Sequence, residues 1–397
     1  MSGPADLPPA DHPLLGDALG ILDELVAFPS VALTPNVDLI GWVVDRLDGV
    51  ASDVRLSHDP TGTKANLFAT IGPAVDGGIM LAGHSDVVPV DPGDWTTPPF
   101  EADHRDGRVY GRGTADMKGF VACVLAHAPG WAALDLERPI HVALTYDEED
   151  GFHGAPVLIE SLSGAPRPAA AIVGEPTGLQ VIGAHKGCYE YTTTVTGMDG
   201  HSSRPAEAVS AVHHATRWIG ELLGLAGDLA ERAPADSRFE PAHTTTNVGT
   251  IAGGMARCTV APGCSFEWEM RPVQGSDAGF VKTRMAEVEE RLLAEMRTVH
   301  PGAGFATEVV CEIDGLEWDD DSPAIALMRS LLGGDPEVGV VAYGTEAGLY
   351  QTAGIPSVVW GPGDIGVAHR PDEYVEVADL AACLSILGRL PGHLAAG

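Results

Sequence analysis

Short apolar runs alternate with a helical pattern in the first half of the chain. Residues 78–88, 140–146 and 169–173 are compact apolar runs of strand length, and residues 118–128 form an apolar stretch of helical type. This alternation favours an α/β sheet with helices on both faces. Such a sheet binds ligands in the crevice beyond the carboxyl ends of its strands. The pattern therefore predicts an α/β domain whose site lies at that edge.

The pattern changes at residue 182 and returns to its first form after residue 314. Between them the predicted elements follow a β-α-β-β-α-β order, which packs as one sheet covered on one face by two helices. These elements are strand 187–195, helix 206–225, strands 245–251 and 264–271, helix 277–299 and strand 305–313. Residues 227–241, rich in charge, Ala and Pro, predict a surface loop. We therefore expect a ferredoxin-like domain, residues 182–314, inserted into an α/β domain with a twisted, mostly parallel sheet, residues 1–181 and 315–397.

Charge and composition limit the partners. The chain has 397 residues, 45% of them hydrophobic, and a formal net charge of -33, so its field repels nucleic acid and anionic membranes. Residues 1–17 contain neither a basic stretch nor a long apolar core, and no apolar run reaches membrane-spanning length. We therefore predict a cytoplasmic protein that binds neither nucleic acid nor membranes. Its excess of Arg over Lys fits a salt-tolerant source and a GC-rich genome equally.

The six cysteines show no CxxC spacing and lie mostly inside apolar segments. This distribution favours reduced core residues over disulfides or a zinc–thiolate site. The cysteines are Cys123, Cys188, Cys258, Cys264, Cys311 and Cys383.

Polar side chains follow several of the strand-like runs. His84 and Asp86 stand two residues apart at the end of such a run, so both point to one side, and the Asp86 carboxylate is placed to accept the second imidazole N–H. Glu148 and Glu149 follow a later run, where one carboxylate can hold a metal while its neighbour carries protons. A buried polar pair and a solvated acidic turn are the plainer alternatives.

Three further candidates depend on their context. Asp116 follows the glycine-rich turn at residues 111–113 and precedes an apolar helix, so it is either a ligand or an N-cap. Glu175 precedes a Pro and is either a ligand or a turn residue. His369 is either a ligand or a surface histidine. Taken together, two His and several carboxylates delivered from strand ends suit a pair of divalent metals such as zinc, manganese or cobalt.

The motifs, in this order, resemble the M20 family of co-catalytic metallopeptidases and amidohydrolases over nearly the full chain. The matching segments are HSDVVP (84–89), GRGTADMKG (111–119), TYDEEDG (145–151), GEPTG (174–178), GHSSRP (200–205) and GPGDIGVAHRPDEY (361–374). Within that family the likeness is closest to acetylornithine deacetylases, through YGTEAGLYQTAGIP (343–356) and the AHRPDEY ending. The resemblance implies that residues 182–314 form a lid that also carries a homodimer interface.

The resemblance implies a site with two divalent metal ions, for which zinc is the first candidate and cobalt and manganese are the alternatives. It assigns five ligands: Asp116 between the two metals, His84 and Glu175 at one, and Glu149 and His369 at the other. Glu148 is then the general base that deprotonates a water bridging the metals as it attacks an amide carbonyl, and Asp86 assists His84. His201 resembles the lid histidine that reaches the active site of the other subunit, where it stabilises the oxyanion.

Substrate contacts are implied for three residues. Arg271 matches an arginine that holds the substrate α-carboxylate, a task suited to a bidentate guanidinium, or it is an ordinary strand-end charge. Lys186 either faces the same anion or has a hinge or structural role. Gly363 lies in the loop 361–363, whose backbone N–H groups are expected close to the cleft.

Departures from the family pattern concern specificity. Cys258 stands where relatives usually have an Asn in the lid, and a thiol is the poorer hydrogen-bond donor. Asp364 and Val367 stand where acetylornithine deacetylases tend to have Ser and Gln. We expect an enzyme that removes the acyl group from an N-acyl amino acid, with N-acetyl-L-ornithine as the first candidate. The alternatives are succinyl-diaminopimelate, another N-acyl amino acid or a dipeptide as substrate, or binding of an acylated amino acid without turnover.

Overall fold

The computed structural model describes residues 12–394. Residues 1–11, which belong to the N-terminal segment without a basic stretch or a long apolar core, lie outside the described residues, as do residues 395–397. The chain forms two compact units. Within the described residues, the first unit consists of residues 12–184, 318–339 and 345–394, and the second of His185–Glu317 and Val340–Gly344. The assignment of residues 182–314 as a lid and dimerisation domain remains a prediction.

The helices and strands within residues 12–394 have the following bounds. The helices are α1 (Leu15–Ala27), α2 (Val37–Leu47), α3 (Gly119–Ala132), α4 (Gly154–Ser161), α5 (Ala211–Gly224), α6 (Ala226–Glu231), α7 (Gly275–Arg297), α8 (Pro323–Leu332), α9 (Ala347–Thr352) and α10 (Val377–Leu387). The strands are β1 (Asp53–His58), β2 (Ala65–Ile71), β3 (Ile79–His84), β4 (Asp103–Arg105), β5 (Arg108–Tyr110), β6 (Ile140–Thr145), β7 (Ala170–Val173), β8 (Val181–His185), β9 (Cys188–Thr196), β10 (Gly200–His201), β11 (Thr245–Gly253), β12 (Thr259–Val260), β13 (Gly263–Arg271), β14 (Gly304–Ile313), β15 (Val338–Val341), β16 (Ser357–Val359) and β17 (Tyr374–Glu376). In this part of the chain, none of the helices is long and apolar enough to cross a membrane.

The first unit is built on one large mixed sheet. Its strand order is β1-β2-β6-β3-β7-β16-β8-β15. In the centre, β6, β3, β7 and β16 run parallel to one another. On one side β1 and β2 pair antiparallel, and on the other β8 pairs antiparallel with β16. This arrangement confirms the predicted α/β class with a mostly parallel central sheet.

Apolar side chains cover both faces of this sheet. All residues of β3, β6 and β7 are buried, which explains why these strands read as continuous apolar runs and not as alternating ones. Helix α3 is buried along most of its length and packs against α1 and α10. The predicted helix 118–128 is present, although it begins at Gly119 and continues to Ala132. Polar side chains at the carboxyl ends of these strands are therefore held by a rigid layer.

The second unit contains a four-stranded antiparallel sheet with the order β11-β13-β9-β14. Strand β13 alternates buried and more exposed side chains, and its buried face packs with α5 and α7 around Trp218, Phe266 and Trp268. The elements β9, α5, β11, β13, α7 and β14 follow the predicted β-α-β-β-α-β order.

Helix α6 and the start of helix α5 differ from the prediction. The pattern predicts a loop for residues 227–241, but helix α6 occupies the first of them because Leu229 is buried in the apolar cluster. The predicted helix 206–225 begins only at Ala211, since the hydroxyl of Ser210 accepts from the N–H of His213 at 3.2 Å and caps the helix there.

Candidate metal centre

His84 is the last residue of β3 and the first polar side chain after its fully buried apolar run. Its Nδ1 lies 2.9 Å from the main-chain oxygen of Asp86 but 3.7 Å from the Asp86 carboxylate. The carbonyl therefore accepts the N–H and sets the tautomer, which corrects the predicted carboxylate partner. Nε2 is left to face Asp116, whose Oδ1 is 3.0 Å away.

The Asp86 carboxylate is occupied by the turn that follows β6. Its Oδ1 accepts from the N–H of Glu148 and its Oδ2 accepts from the N–H of Glu149, both at 3.1 Å. Burial raises the pKa of Asp86. Asp86 therefore positions the backbone of the two glutamates, and its hydrogen bond to His84 is made by its main-chain carbonyl.

The acidic turn after β6 is largely buried. Asp147 has a positive φ of 52°, and its carboxylate pairs with Lys64 and accepts from the N–H of Leu33. The side chains of Glu148 and Glu149 are buried as well. The alternative of a solvated turn is therefore wrong for these three acids. The sequence does not reveal the Lys64 pair, because 83 residues separate its members.

A buried ion pair shapes the segment that carries Asp116. Oε1 of Glu373 accepts from the backbone N–H groups of Ala115 and Asp116 at 2.9 and 3.1 Å, and Oε2 pairs with Arg112 at 2.6 Å. No side chain caps helix α3, so the N-cap alternative for Asp116 is wrong. The Asp116 carboxylate therefore remains available to other partners.

The Asp116 carboxylate lies between two histidines. Its Oδ1 is 3.0 Å from Nε2 of His84, and its Oδ2 is 3.3 Å from Nε2 of His369. The same nitrogen of His369 lies 2.9 Å from Oε2 of Glu149. His369 adopts a φ of +61°, an uncommon value for a residue other than glycine. Each oxygen of one carboxylate thus faces an imidazole, as in a ligand that bridges two ions.

Glu175 completes the cluster beside His84. Its Oε1 lies 3.9 Å from Nε2 of His84 and is buried without a hydrogen-bond partner. Donor atoms of His84, Glu148 and Glu175 lie within 4.8 Å of one another, as do those of His84, Asp116 and Glu149. A buried oxygen without a donor is costly, and imidazole and carboxylate are ligands of divalent metals. The residues present therefore fit divalent cations.

Without a cation, this buried cluster has more carboxylates than positively charged partners. Burial and neighbouring carboxylates raise the pKa of Glu148 and Glu175 well above the usual value, and that of Glu149 to about 7. Hydrogen bonds to Asp116 and Glu149 raise the pKa of His369 to about 10. Burial opposes ionisation of Asp116, but hydrogen bonds from the two imidazoles outweigh it and lower its pKa. A divalent cation would compensate this excess of buried negative charge.

A further buried carboxylate, Glu346, interacts with this cluster and has no predicted role. Its Oε2 accepts from the hydroxyl of Tyr350 at 2.9 Å. Burial raises its pKa to about 7, against the effect of hydrogen bonds from Thr145 and Tyr350, and its charge adds to the raised pKa of Glu148. Glu346 lies in the segment TEAGLY (345–350). This segment contributes to the family resemblance, but it does not indicate a function for Glu346.

Gly363 lies in the first unit at a φ of +90°. Its N–H donates to Asp379, and its carbonyl accepts from the N–H of Gly178 at 2.6 Å. Both backbone groups therefore have partners within the protein, and the substrate contact of Gly363 remains a prediction. The neighbouring Asp364 is exposed, and it accepts from the N–H of Gly366 at 2.7 Å.

Two predicted substrate contacts belong to the second unit. Lys186 is buried, and its Nζ donates to two main-chain carbonyls at 2.8 Å, which supports the structural alternative for this residue. Arg271 ends β13 and pairs with Glu269 at 2.7 Å and with Glu190 at 3.4 Å. Both cations thus have partners inside this unit.

His201 and Cys258 are also in the second unit, and both are exposed. His201 lies in β10, which pairs with β12, and its Nδ1 is 2.7 Å from the hydroxyl of Ser203. Cys258 immediately precedes β12, and its carbonyl accepts from the N–H of Ser202 at 3.0 Å. The roles assigned to these two residues remain predictions.

Comparison with known proteins agrees with this arrangement. The sequence profile of peptidase family M20/M25/M40 matches residues 80–392. An acetylornithine deacetylase from Myxococcus xanthus is 37% identical over 381 residues, which cover 95% of this chain and 97% of that protein. The fold is similar to that of an M20 family metallo-carboxypeptidase from Sulfolobus solfataricus, with a TM-score of 0.77 and 18% identity over 94% of this chain and 98% of that one. It is also similar to that of a dinuclear metal-binding M20 peptidase from Bacillus subtilis, with a TM-score of 0.63 and 14% identity over 95% and 97% of the two chains. The chain therefore belongs to peptidase family M20/M25/M40, as its motifs predict.

Proposed function

We propose that this protein is a metal-dependent amidohydrolase that removes the acyl group from N-acyl amino acids, with N-acetyl-L-ornithine as its first substrate. The observation that carries the proposal is the Asp116 carboxylate, whose oxygens lie 3.0 Å from His84 and 3.3 Å from His369. A carboxylate placed in this way suits a bridge between two divalent ions. The choice of substrate is supported by 37% identity with a protein named acetylornithine deacetylase. With that substrate the protein would act in arginine biosynthesis in the cytoplasm.

Five side chains would hold the two ions, which we propose to be zinc, with cobalt or manganese as substitutes. They are Asp116 for both ions, His84 and Glu175 for one, and Glu149 and His369 for the other. When bound, the ions would supply Lewis acidity toward the amide carbonyl and the attacking water. The buried Oε1 of Glu175, which has no hydrogen-bond partner, supports this assignment because it needs a positive partner.

Glu148 is proposed to carry the proton. The Asp86 carboxylate fixes the backbone N–H of Glu148, and the Glu148 carboxylate lies beside His84 and Glu175. It takes a proton from the attacking water and later delivers a proton to the nitrogen of the departing amine.

The oxyanion is proposed to be stabilised by His201 from a second copy of the chain in a homodimer. His201 is exposed, and Ser203 restrains its Nδ1 side, so the ring is accessible to a partner. Arg271 is proposed to bind the α-carboxylate of the substrate, for which it would exchange its pairing with Glu190 or Glu269.

A substrate panel tests this proposal. The zinc-loaded protein is assayed for amine release from N-acetyl-L-ornithine, N-succinyl-diaminopimelate, a neutral N-acetyl amino acid and a dipeptide, before and after chelation. We expect the highest kcat/KM with N-acetyl-L-ornithine, loss of turnover on chelation and recovery when Zn²⁺ is restored. Tight binding in calorimetry without any product would contradict catalysis. A preference for the succinyl compound or the dipeptide would instead replace the proposed substrate.

A further inference from the structure

A second group of metal-binding side chains lies in the second unit. Cys188 and Glu190 are on β9, and Cys311 is on the neighbouring strand β14. The two Sγ atoms are 3.9 Å apart, and Sγ of Cys188 lies 3.3 Å from Oε1 of Glu190. All three donor atoms lie within 4.8 Å of one another. We call these three residues the thiol cluster.

The register of the two strands brings these side chains to one face of the sheet. Cys188 and Glu190 are two residues apart on β9, so they point in the same direction. Cys311 pairs directly with Glu190, beside a register shift between Val309 and Cys311. A bulge of this kind re-aims a side chain. The thiol cluster is therefore produced by the sheet itself and does not depend on a mobile loop.

The distances in the thiol cluster fit a tetrahedral ion better than a disulfide. Two sulfurs about 2.3 Å from a zinc ion are about 3.8 Å apart in a tetrahedron, close to the separation in the structure. Cys188 pairs with Ile313 and Cys311 with Glu190, so the cysteines are diagonal neighbours. Diagonal neighbours have Cα atoms about 7–8 Å apart, beyond the roughly 4.4–6.8 Å of disulfides. A disulfide would require the strands to shift, and an ion would not.

The charges around the thiol cluster also suit a divalent ion. Two thiolates and a carboxylate are all negative, and a divalent cation together with the nearby Arg271 offsets their charge. Arg271 lies 3.4 Å from Oε1 of Glu190 and orients that carboxylate. Both thiols are buried, whereas the side chain of Glu190 is 37% exposed and leaves a path for the ion.

We propose that Cys188, Glu190 and Cys311 bind one divalent ion of zinc-like character, which ties β9 to β14. Thiolate ligands select zinc over magnesium or calcium, so this site differs chemically from the all-nitrogen and oxygen site of the first unit. A water completes the tetrahedron on the exposed side. Because both thiols lose protons on binding, the apparent affinity rises with pH. None of the three ligands is among the residues proposed to bind the substrate.

Cobalt titration tests this proposal, because Co²⁺ bound to thiolate gives an intense near-ultraviolet charge-transfer band that nitrogen and oxygen ligands do not give. The full-length protein, metal-free and reduced with a phosphine, is titrated with CoCl₂. We expect the band to correspond to one thiolate-bound ion per chain and to saturate within three equivalents, because the metal-binding cluster of the first unit takes up two further ions. The band should disappear in Cys188→Ser and Cys311→Ser. In Glu190→Gln the band should persist, but the affinity for Co²⁺ should fall. Loss of a residue that only orients a ligand weakens metal binding roughly 10- to 100-fold, and loss of a ligand should weaken it at least as much.

The matched control is Cys264→Ser, which removes another buried cysteine from the same sheet and should leave the band unchanged. Absence of the band in the wild-type protein would overturn the proposal, as would its persistence when both Cys188 and Cys311 are replaced. A Cys188–Cys311 disulfide in protein purified in air, detected by mass spectrometry, would also contradict it. If circular dichroism shows that the serine variants do not fold, the test is the cobalt affinity of Glu190→Gln. An affinity equal to that of the wild type would rule out the carboxylate as a ligand and overturn the proposed site.

Discussion

Asp86 and Asp116 are both buried aspartates near His84, but their carboxylates have different partners. The Asp86 carboxylate accepts from two backbone N–H groups, so it organises the turn of Glu148 and Glu149. The Asp116 carboxylate has no backbone donor and faces an imidazole with each oxygen. Hydrogen bonds to the main chain therefore decide which aspartate positions its neighbours and which remains available to cations.

The residue types of the site could be predicted from the sequence, but their hydrogen-bond partners could not. The resemblance singled out His84, Asp116 and Glu175, and the structure brings them together. The partner of the His84 Nδ1 is a main-chain carbonyl, which no side-chain pattern encodes. The Glu373 carboxylate that organises the Asp116 backbone lies 257 residues away, so spacing gives no sign of it.

Glu148→Gln tests the proton carrier. The amide has nearly the shape of the carboxylate but cannot accept a proton, so we expect kcat to fall roughly 100- to 10,000-fold while the metal content stays unchanged. Steady-state kinetics and metal analysis of the purified protein measure both quantities. The control is Glu101→Gln, at an exposed glutamate of the first unit, which should behave as the wild type. Undiminished turnover in Glu148→Gln would remove the residue from the mechanism.

Asp86→Asn tests the positioning role. One carboxylate oxygen becomes an NH₂ group that opposes the N–H of Glu148 or Glu149, so the turn shifts. We expect a loss of about 10- to 100-fold in metal affinity or kcat, with little change in KM. Calorimetric titration with Zn²⁺ and steady-state kinetics measure these effects. Wild-type values for both affinity and kcat would show that the two hydrogen bonds are dispensable.

Strand ends and tight turns position the site at the level of elements. His84 ends β3, the two glutamates follow β6, and Glu175 follows β7, so three neighbouring strands of one sheet deliver their polar residues to the same edge. This edge could be predicted because buried parallel strands read as continuous apolar runs. Short elements such as β10 and β12, two residues each, leave no such run and were not predicted. Helix α6 was not predicted because its six residues bury only Leu229.

Gly113→Ala tests the turn that leads to Asp116. Gly113 has a φ of +86°, and a Cβ there would lie 2.7 Å from Cγ1 of Val87. We expect the variant to lose about 1–3 kcal/mol of stability and to bind metal more weakly, because the backbone has to shift. Chemical denaturation and metal analysis check this result. Gly130→Ala is the matched control in α3, where a new Cβ meets nothing within 4 Å, and it should be neutral or stabilising. Equal effects of the two substitutions would contradict the importance of the turn.

At the scale of the whole molecule, the two units have separate apolar cores, and the first unit carries the metal-binding cluster. The inserted order of elements could be predicted because the second unit has local strand and helix patterns of its own. The burial of His141 in the first unit could not be predicted, since it depends on packing: the ring stacks on Phe68 at 4.7 Å and contacts the Thr70 hydroxyl at 3.1 Å.

His141 makes the stability of the first unit depend on pH. Burial lowers its pKa from 6.5 to about 4, so the folded protein holds the neutral ring, which gains a proton on unfolding. Its contribution is complete above pH 6.5 and is lost as the pH falls through 4. Between pH 6.5 and pH 4, the free energy of unfolding of His141→Gln should therefore fall less than that of the wild type. The difference should reach up to about 3 kcal/mol. Denaturation at several pH values measures the slope. The exposed His58→Gln serves as control and should keep the wild-type slope. An unchanged slope in His141→Gln would contradict this account.

The most direct test of the central claim is anomalous diffraction from crystals of the zinc-loaded protein. We expect two zinc peaks in the first unit, about 3.5–4 Å apart, with one oxygen of Asp116 directed at each. His84 and Glu175 should lie beside one peak, and Glu149 and His369 beside the other. A single peak at this cluster, or two peaks that do not share Asp116, would contradict the account.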